Sequence, residues 1–178
     1  MIHLVYVALD LVLAAYRDHL CGIQPSGPGA RGLLEFFDSV DGQLGPESKA
    51  APHLIATDQA VRGMLMKRAA TLHLGAANYC WFADPAKALC LRLAGTPTAS
   101  APLIGMCDFA RCPQATHHPC HRPLWAGAVR SGTTFLGQLG RGQAAERARL
   151  GEQVARAERV LRAIDAAASG HAHEGTER

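Results

Sequence analysis

A stretch rich in Cys and His, residues 107–121, is the feature that most restricts how this chain folds. It holds three cysteines and three histidines within fifteen residues. From Gly95 to Gly142 the surrounding sequence shows little helical pattern and many Pro, Gly, Cys and His residues. A region of this composition needs something besides a hydrophobic core to hold it together. Residues 107–121 are named the Cys/His segment below.

The ligand chemistry of the Cys/His segment favours a structural zinc ion. Structural zinc takes four ligands in a tetrahedron, drawn from thiolate sulfur and imidazole nitrogen. Cys107, Cys112 and Cys120 supply three thiolates, and His117 is the preferred fourth ligand, in the spacing C-x4-C-x4-H-x2-C. The other two histidines, at 118 and 121, stay open as the fourth ligand. Ordinary buried cysteines are the competing interpretation, but these rarely crowd into a Pro-rich loop.

The remaining cysteines, Cys21, Cys80 and Cys90, are interpreted as ordinary core residues, because aromatic residues surround the second and leucines the third. Six cysteines without a secretory signal favour a reducing compartment and a cytoplasmic location. The apolar first twenty residues lack a basic start and a cleavage site, and Asp10 interrupts them. They are also too short to span a membrane. We expect a buried helix there and no membrane partner.

Hydrophobic periodicity predicts a mostly α-helical fold, with an irregular Cys/His insert stabilised by zinc and a long C-terminal helix. Helices are predicted over residues 2–20, 32–40, 57–74, 84–94 and about 143–168. Thr57 and Asp84 stand where N-caps are expected, Pro85 follows in a first turn, and Gly95 stands where a helix commonly ends.

These elements divide the chain into four predicted parts. Residues 1–95 form a helical core domain, 96–142 a zinc-binding region, 143–170 the long C-terminal helix, and 171–178 a disordered tail. The C-terminal helix carries a narrow apolar seam with steps of four and three residues, as in a coiled coil. The seam consists of Leu150, Val154, Ala157, Leu161, Ile164 and Ala168. Packing on its own domain is preferred, and self-association or a regulatory protein-interaction face is the alternative.

Charge is unevenly distributed along the chain. Residues 1–104 carry eight acidic and eight basic residues, whereas residues 105–164 carry four acidic residues against nine arginines. A basic surface held rigid by zinc predicts contacts with DNA phosphates. The candidate nucleic-acid contacts are Arg111, Arg122, Arg130, Arg141, Arg147 and Arg149. For Arg156, Arg159 and Arg162 a solvated helix face is the preferred interpretation, since glutamates alternate with them.

Sequence signatures of the common enzyme classes are absent. No cysteine begins a C-x5-R phosphatase loop, and there is no P-loop, dinucleotide fingerprint or H-E-x-x-H. Catalytic zinc sites keep one position open beside a base, whereas Asp108 is the sole acidic residue of the Cys/His segment. A non-catalytic chain is therefore expected, and a Cys/His-dependent hydrolase is the weaker alternative.

Several stretches resemble the distal region of actinobacterial site-specific integrase-like proteins, which are mobile-element relatives of tyrosine recombinases. They are LVYVALDLVLAAY, LHLGAANYCWF, DPAKALCLRLAGT, and GMCDFARCPQATHHPCHRPLWA with LGRGQAAERARL. The resemblance covers nearly the whole chain and implies a DNA-associated role, with a recombinase as a partner. The recombinase H-x-x-R element is missing, and Tyr6, Tyr16 and Tyr79 lie in apolar stretches. Strand cleavage would therefore need residues that this chain lacks.

Overall fold

The computed structural model describes residues 2–43, 59–140 and 142–169, and these are mostly α-helical with one small sheet. The helices are α1 (Ile2–Leu20), α2 (Ala30–Gln43), α3 (Gln59–Ala69), α4 (Leu89–Ala94), α5 (Arg122–Gln138) and α6 (Ala144–Ser169). The strands are β1 (Leu72–Leu74), β2 (Tyr79–Trp81) and β3 (Ala115–Thr116). The expected helical class is confirmed. None of the helices in the described part has the length and apolarity to cross a bilayer.

Helices α1, α2 and α3 enclose the first hydrophobic core. Its fully buried side chains include Val12, Tyr16, Leu33, Phe37, Val40, Val61 and Leu65. The predicted bounds of the first helix match α1, but Val7 is 40% exposed, so this helix faces solvent on one side. The predicted helix at 57–74 ends earlier, at Ala69, because the chain turns into β1. Its proposed cap Thr57, like the tail at 171–178, lies outside the described residues.

A three-stranded antiparallel sheet with the order β1-β2-β3 follows this core. Cys80 lies opposite His73 on one side and opposite Ala115 on the other. The Gln114 side chain extends the pairing: its Oε1 accepts hydrogen bonds from the Ala83 and Asp84 backbones, each at 2.9 Å. The sheet therefore connects the stretch after α3 to the Cys/His segment.

The predicted helix at 84–94 is divided in two. Asp84 caps a 3-10 turn at Pro85–Lys87 by accepting the Ala86 N–H at 3.0 Å. Ala88 is extended, and α4 then ends at Gly95, whose φ of 70° is left-handed. The predicted start and stop residues are correct, and the extended residue between them turns α4 in a new direction.

Helices α5 and α6 form an antiparallel hairpin with a second core, which contains Trp125, Ala157, Val160 and Ile164. Helix α5 was not predicted. Gly132 faces Val154 so closely that a Cβ at this glycine would overlap the valine side chain. The apolar seam of the C-terminal helix thus packs against α5 of the same chain through its central residues.

Candidate metal centre

Four cysteines from four separate parts of the fold line one small cavity. Cys80 lies on β2, Cys90 on α4, Cys107 directly after a 3-10 turn at Ile104–Met106, and Cys112 in the loop before β3. The cavity volume is about 10 Å³, roughly what one water-sized sphere occupies. All four are free thiols, and Cys107 alone among them is partly exposed.

These thiols are close enough to influence one another's ionisation. Burial, followed by repulsion from the other three cysteines, raises the pKa of Cys80 to about 12. Burial, together with Cys112, Cys90 and Asp108, raises the pKa of Cys107 to about 11. Like charges disfavour each other, so several thiolates at this place require a compensating positive charge. A divalent metal ion supplies such a charge and deprotonates a coordinating thiol.

The side-chain amide of Asn78 lines the same cavity and is 2% exposed. Its Nδ2 makes no hydrogen bond of ordinary geometry to the described residues, yet a hydrogen bond from the Asn78 side chain lowers the pKa of Cys107. We interpret the contact as a long N–H···S interaction, because a buried amide without a partner is costly and sulfur is a weak acceptor. Such a group would orient a thiolate that binds a metal.

Four cysteine thiolates are a standard ligand set for structural zinc, with no position open for catalysis. In the described part of the chain, no group of three or more His, Cys, Asp or Glu side chains is arranged so that it could hold a metal ion. The four thiols therefore line the cavity without forming a ligand tetrahedron.

The ligands predicted from the sequence separate in the structure. Cys107 and Cys112 line the cavity, whereas His117 and Cys120 are not part of its lining. His117 is 1% exposed, with its ring against the Trp125 indole at 5.6 Å. Cys120 is exposed. In the structure, Cys107 and Cys112 share this cavity with Cys80 and Cys90 instead.

That pair, Cys80 and Cys90, was interpreted as ordinary core, and both residues are indeed buried. The overlooked signal was their spacing, since the four cysteines read C-x9-C-x16-C-x4-C, two pairs separated by a longer connection. The apolar neighbours of these two cysteines favoured the core interpretation, because buried zinc ligands and core cysteines have similar surroundings. Cys21, by contrast, is exposed, so its interpretation as a core residue was wrong.

The other two histidines of the Cys/His segment are buried and hydrogen-bonded. Thr116 Oγ1 lies 3.0 Å from His118 Nε2, and the His118 backbone N–H donates to His121 Nδ1 at 3.0 Å. The Cys120 sulfur is 3.8 Å from that same Nδ1. Because its lone pair is already used, His121 cannot take the Cys120 proton through this nitrogen. The geometry argues against a Cys–His nucleophile here.

Two of the arginines predicted to contact nucleic acid are paired within the chain. Arg122 donates to both carboxylate oxygens of Asp165, at 2.6 and 3.1 Å. Arg149 donates to both oxygens of Glu146, at 3.0 and 2.6 Å. A guanidinium engaged in this two-pronged way has fewer donors left for a phosphate.

The remaining predicted arginines differ in their surroundings. Arg147 donates to the Leu136 and Leu139 carbonyls at the end of α5, and Arg111 pairs with Asp108 at 2.7 Å. Arg130 is exposed and makes no side-chain ion pair or hydrogen bond with the described residues. Arg141 lies outside the described residues. Of the five candidate arginines that the structure describes, Arg130 is therefore the one whose guanidinium has no partner among the described residues.

Comparisons of the chain with protein-family models, with curated proteins and with solved structures find no match. The thiol cavity holds four thiol groups and a buried amide. Thiolates of this kind are among the side chains that bind structural zinc.

Proposed function

We propose that the chain is a non-catalytic module stabilised by one zinc ion, which Cys80, Cys90, Cys107 and Cys112 bind. The observation that carries the proposal is the single small cavity that these four thiols share. This ligand set keeps two residues of the sequence-based hypothesis and replaces His117 and Cys120.

The part of the fold around the cavity has few apolar contacts of its own. Its buried cluster consists of Cys80, Phe82, Ala88, Cys90 and Leu91, and two of these five residues are the proposed ligands. Zinc binding to such a region supplies folding free energy, roughly 10–16 kcal/mol in small zinc-dependent peptides. A tetrathiolate site would connect β2, α4 and the Cys/His segment more firmly than this cluster does.

Metal analysis of protein purified without added zinc tests the proposal. We expect one zinc per chain, with loss of the metal in Cys80→Ser and in Cys112→Ser. The matched controls are Cys21→Ser and Cys120→Ser, which change exposed cysteines and should retain the metal. Zinc retained by Cys80→Ser and lost from Cys120→Ser would support the original ligand set, and a wild-type chain without zinc would contradict both.

Cobalt substitution provides a measurement that needs no variant, in case a serine substitution prevents folding. The sulfur-to-cobalt charge-transfer absorption of the wild-type chain grows with the number of thiolate ligands. We expect the intensity of four thiolates in a tetrahedral field. A spectrum typical of three thiolates and one imidazole would exclude the four-cysteine site.

The second half of the proposal is association with DNA, as in the distal part of site-specific integrase-like proteins. It is supported by the resemblance and by the arginine excess after residue 105, and Arg130 is the candidate contact whose guanidinium has no pair among the described residues. Duplex binding measured against salt is the test, since such binding weakens as salt rises. We expect Arg130→Ala to weaken binding more than Arg122→Ala, whose arginine is held by Asp165. Absence of binding at low salt would contradict the DNA half alone.

A further inference from the structure

A second and larger cavity, of about 410 Å³, lies between α6, the Cys/His segment and the loop before α2. Among the residues that line it are three arginines and one histidine, namely Arg111, Arg156, Arg159 and His117, and its lining includes no acidic residue. The thiol cavity shares none of its lining residues with this one. We name it the arginine cavity.

The arginine cavity has an excess of positive charge. Arg156 and Arg159 stand three residues apart on α6 and so lie on neighbouring positions of one helix face. Asp108 is the nearby acid, and it lies 2.7 Å from Arg111 and 3.9 Å from Arg156. Arg159 makes no ion pair or side-chain hydrogen bond with the described residues. One carboxylate thus pairs with two of the three guanidinium groups, and Arg159 is left without a pair among the described residues.

His117 forms part of the wall of the arginine cavity. Its side chain is 1% exposed, and neither Nδ1 nor Nε2 makes a hydrogen bond to any described residue. Buried polar atoms of native proteins nearly always have a partner, so each exception calls for an unseen ligand or water. Whichever nitrogen carries the hydrogen in the neutral ring can donate it to an oxygen.

Gly27 packs directly against this imidazole. Its φ is +93°, and a Cβ at this position would lie 2.6 Å from His117 Nδ1. A larger residue would therefore clash with the ring nitrogen and strain the backbone as well. The close approach of the Gly27 backbone thus holds the imidazole at the wall of the cavity.

We propose that the arginine cavity binds a phosphate group, which Arg111, Arg156 and Arg159 contact through their guanidinium groups and His117 through a ring N–H. The planar guanidinium donates two parallel hydrogen bonds to phosphate oxygens, which makes arginine the preferred side chain for this ligand. The phosphate belongs either to a free phosphomonoester or to a nucleic-acid backbone. A nucleic-acid backbone as the source of the phosphate rests on the DNA half of the proposed function. The phosphate site itself does not depend on that half.

Equilibrium binding to the zinc-loaded wild-type chain at low salt tests the proposal with three probes: inorganic phosphate, a nucleoside monophosphate and a short DNA duplex. Arg159→Ala removes an exposed arginine of the cavity and should weaken phosphate binding about tenfold or more. Arg162→Ala is the matched control, since Arg162 lies on the same helix, pairs with Glu158 at 3.8 Å and is outside the cavity lining. It should leave phosphate affinity within about twofold of the wild type.

Phosphate should also shift the imidazole 15N resonances of His117, a measurement that needs no change in the buried ring. Phosphate or nucleotide binding that Arg159→Ala weakens and Arg162→Ala does not supports the site. If either of these ligands binds with that dependence on Arg159 and the duplex does not bind, the site stands and DNA association fails. If the duplex binds, competes with phosphate and loses affinity in Arg159→Ala, the source is a backbone phosphate.

Duplex binding that is equal in the wild type and in Arg159→Ala overturns the arginine cavity and leaves DNA association standing. The same conclusion about the cavity follows if phosphate binds equally to the Arg159→Ala and Arg162→Ala variants without shifting His117. Failure of all three probes to bind at low salt overturns both the cavity and the DNA half of the proposed function.

Discussion

His118 shows how one buried side chain makes this fold sensitive to acid. Trp81 Nε1 donates to Thr116 Oγ1 at 2.8 Å, and that hydroxyl lies 3.0 Å from His118 Nε2. Because the hydroxyl accepts from the indole, its own hydrogen is available to His118, so Nε2 is the acceptor and the ring is neutral. Burial, followed by repulsion from His121 and His117, lowers the pKa of His118 to about 3.

The stability of the protein should therefore fall as pH decreases below the range where free histidine titrates. Between about pH 6.5, the unfolded value, and the folded pKa, the unfolded chain binds more protons, so unfolding becomes easier as pH falls. Through His118, each pH unit of decrease in this window lowers the free energy of unfolding by up to about 1 kcal/mol. Urea denaturation at pH 7, 6 and 5 measures the slope.

The His118→Gln variant is the comparison that isolates this histidine. Its amide oxygen can still accept a hydrogen bond from Thr116, but it does not titrate. We expect a shallower pH slope than in the wild type, at the cost of some stability at pH 7. Parallel slopes for the two proteins would show that His118 does not carry the effect.

The two long helices at the C-terminal end of the described chain pack at a distance that one glycine permits. Gly132 on α5 faces Val154 on α6 without room for a Cβ, and Trp125 lies in the same small core. Helix axes approach closely where a glycine presents backbone instead of a side chain. The geometry of the hairpin is therefore sensitive to this buried position.

Substitution of Gly132 by alanine should destabilise the protein although alanine is the better helix former. We expect overpacking against Val154 to cost about 1–3 kcal/mol, partly offset by a helix-propensity gain of about 0.5–1 kcal/mol. Gly151→Ala is the control, since Gly151 lies within α6 and a Cβ there meets nothing within 4 Å. It should raise the free energy of unfolding measured in urea. Similar changes for both variants would refute the close-packing explanation.

Helix α5 also shows where sequence reasoning stops. Its Pro123 and its three glycines indicate a loop when taken one at a time, yet proline suits a first helical turn. Val154, the contact that requires Gly132, is more than twenty positions away, so no local pattern reveals it. By contrast, α1 is predicted at its observed bounds because its apolar residues recur at helical spacing, a property of the segment itself.

Two of the four cysteines of the candidate metal centre could be predicted from local sequence, and two could not. Cys107 and Cys112 are near neighbours in sequence, and their zinc role could be proposed from that proximity. Cys80 and Cys90 reach the same cavity through the pairing of β2 with β3 and the turn at Ala88. Strands of two or three residues carry too little alternation to be recognised from the sequence, so this convergence was not predictable.

Across the described part of the molecule, the hydrophobic cores built by the long helices are separate. One lies among α1, α2 and α3, and the other between α5 and α6. The cluster between them, around Cys80 and Cys90, has one partly buried residue packed against it, whereas the core between α5 and α6 has five. Local stability follows buried apolar contacts, so this middle part is where the proposed zinc ion would contribute most.

Removal of zinc by a chelator should loosen this middle part before the rest. We expect backbone amides of α4 and of residues 104–112 to exchange hydrogen faster after chelation, while those of Val12 and Leu65 in the first core keep their protection. Hydrogen exchange followed by mass spectrometry or NMR measures the pattern. A uniform increase along the chain, or none, would contradict a local role for the metal.

The loop before α2 is hydrogen-bonded to parts of the chain that are made much later. Ser26 and His117 exchange backbone hydrogen bonds at 2.9 and 2.8 Å, and the Gln24 N–H donates to Ala167 O at 3.2 Å. Ser26 and His117 are 91 positions apart. Contacts of such high contact order slow folding, because a long loop must close before they form. On the ribosome, the loop before α2 would thus emerge well before the residues that anchor it, whereas α1 and α2 need only α3, β1 and β2 to complete their core.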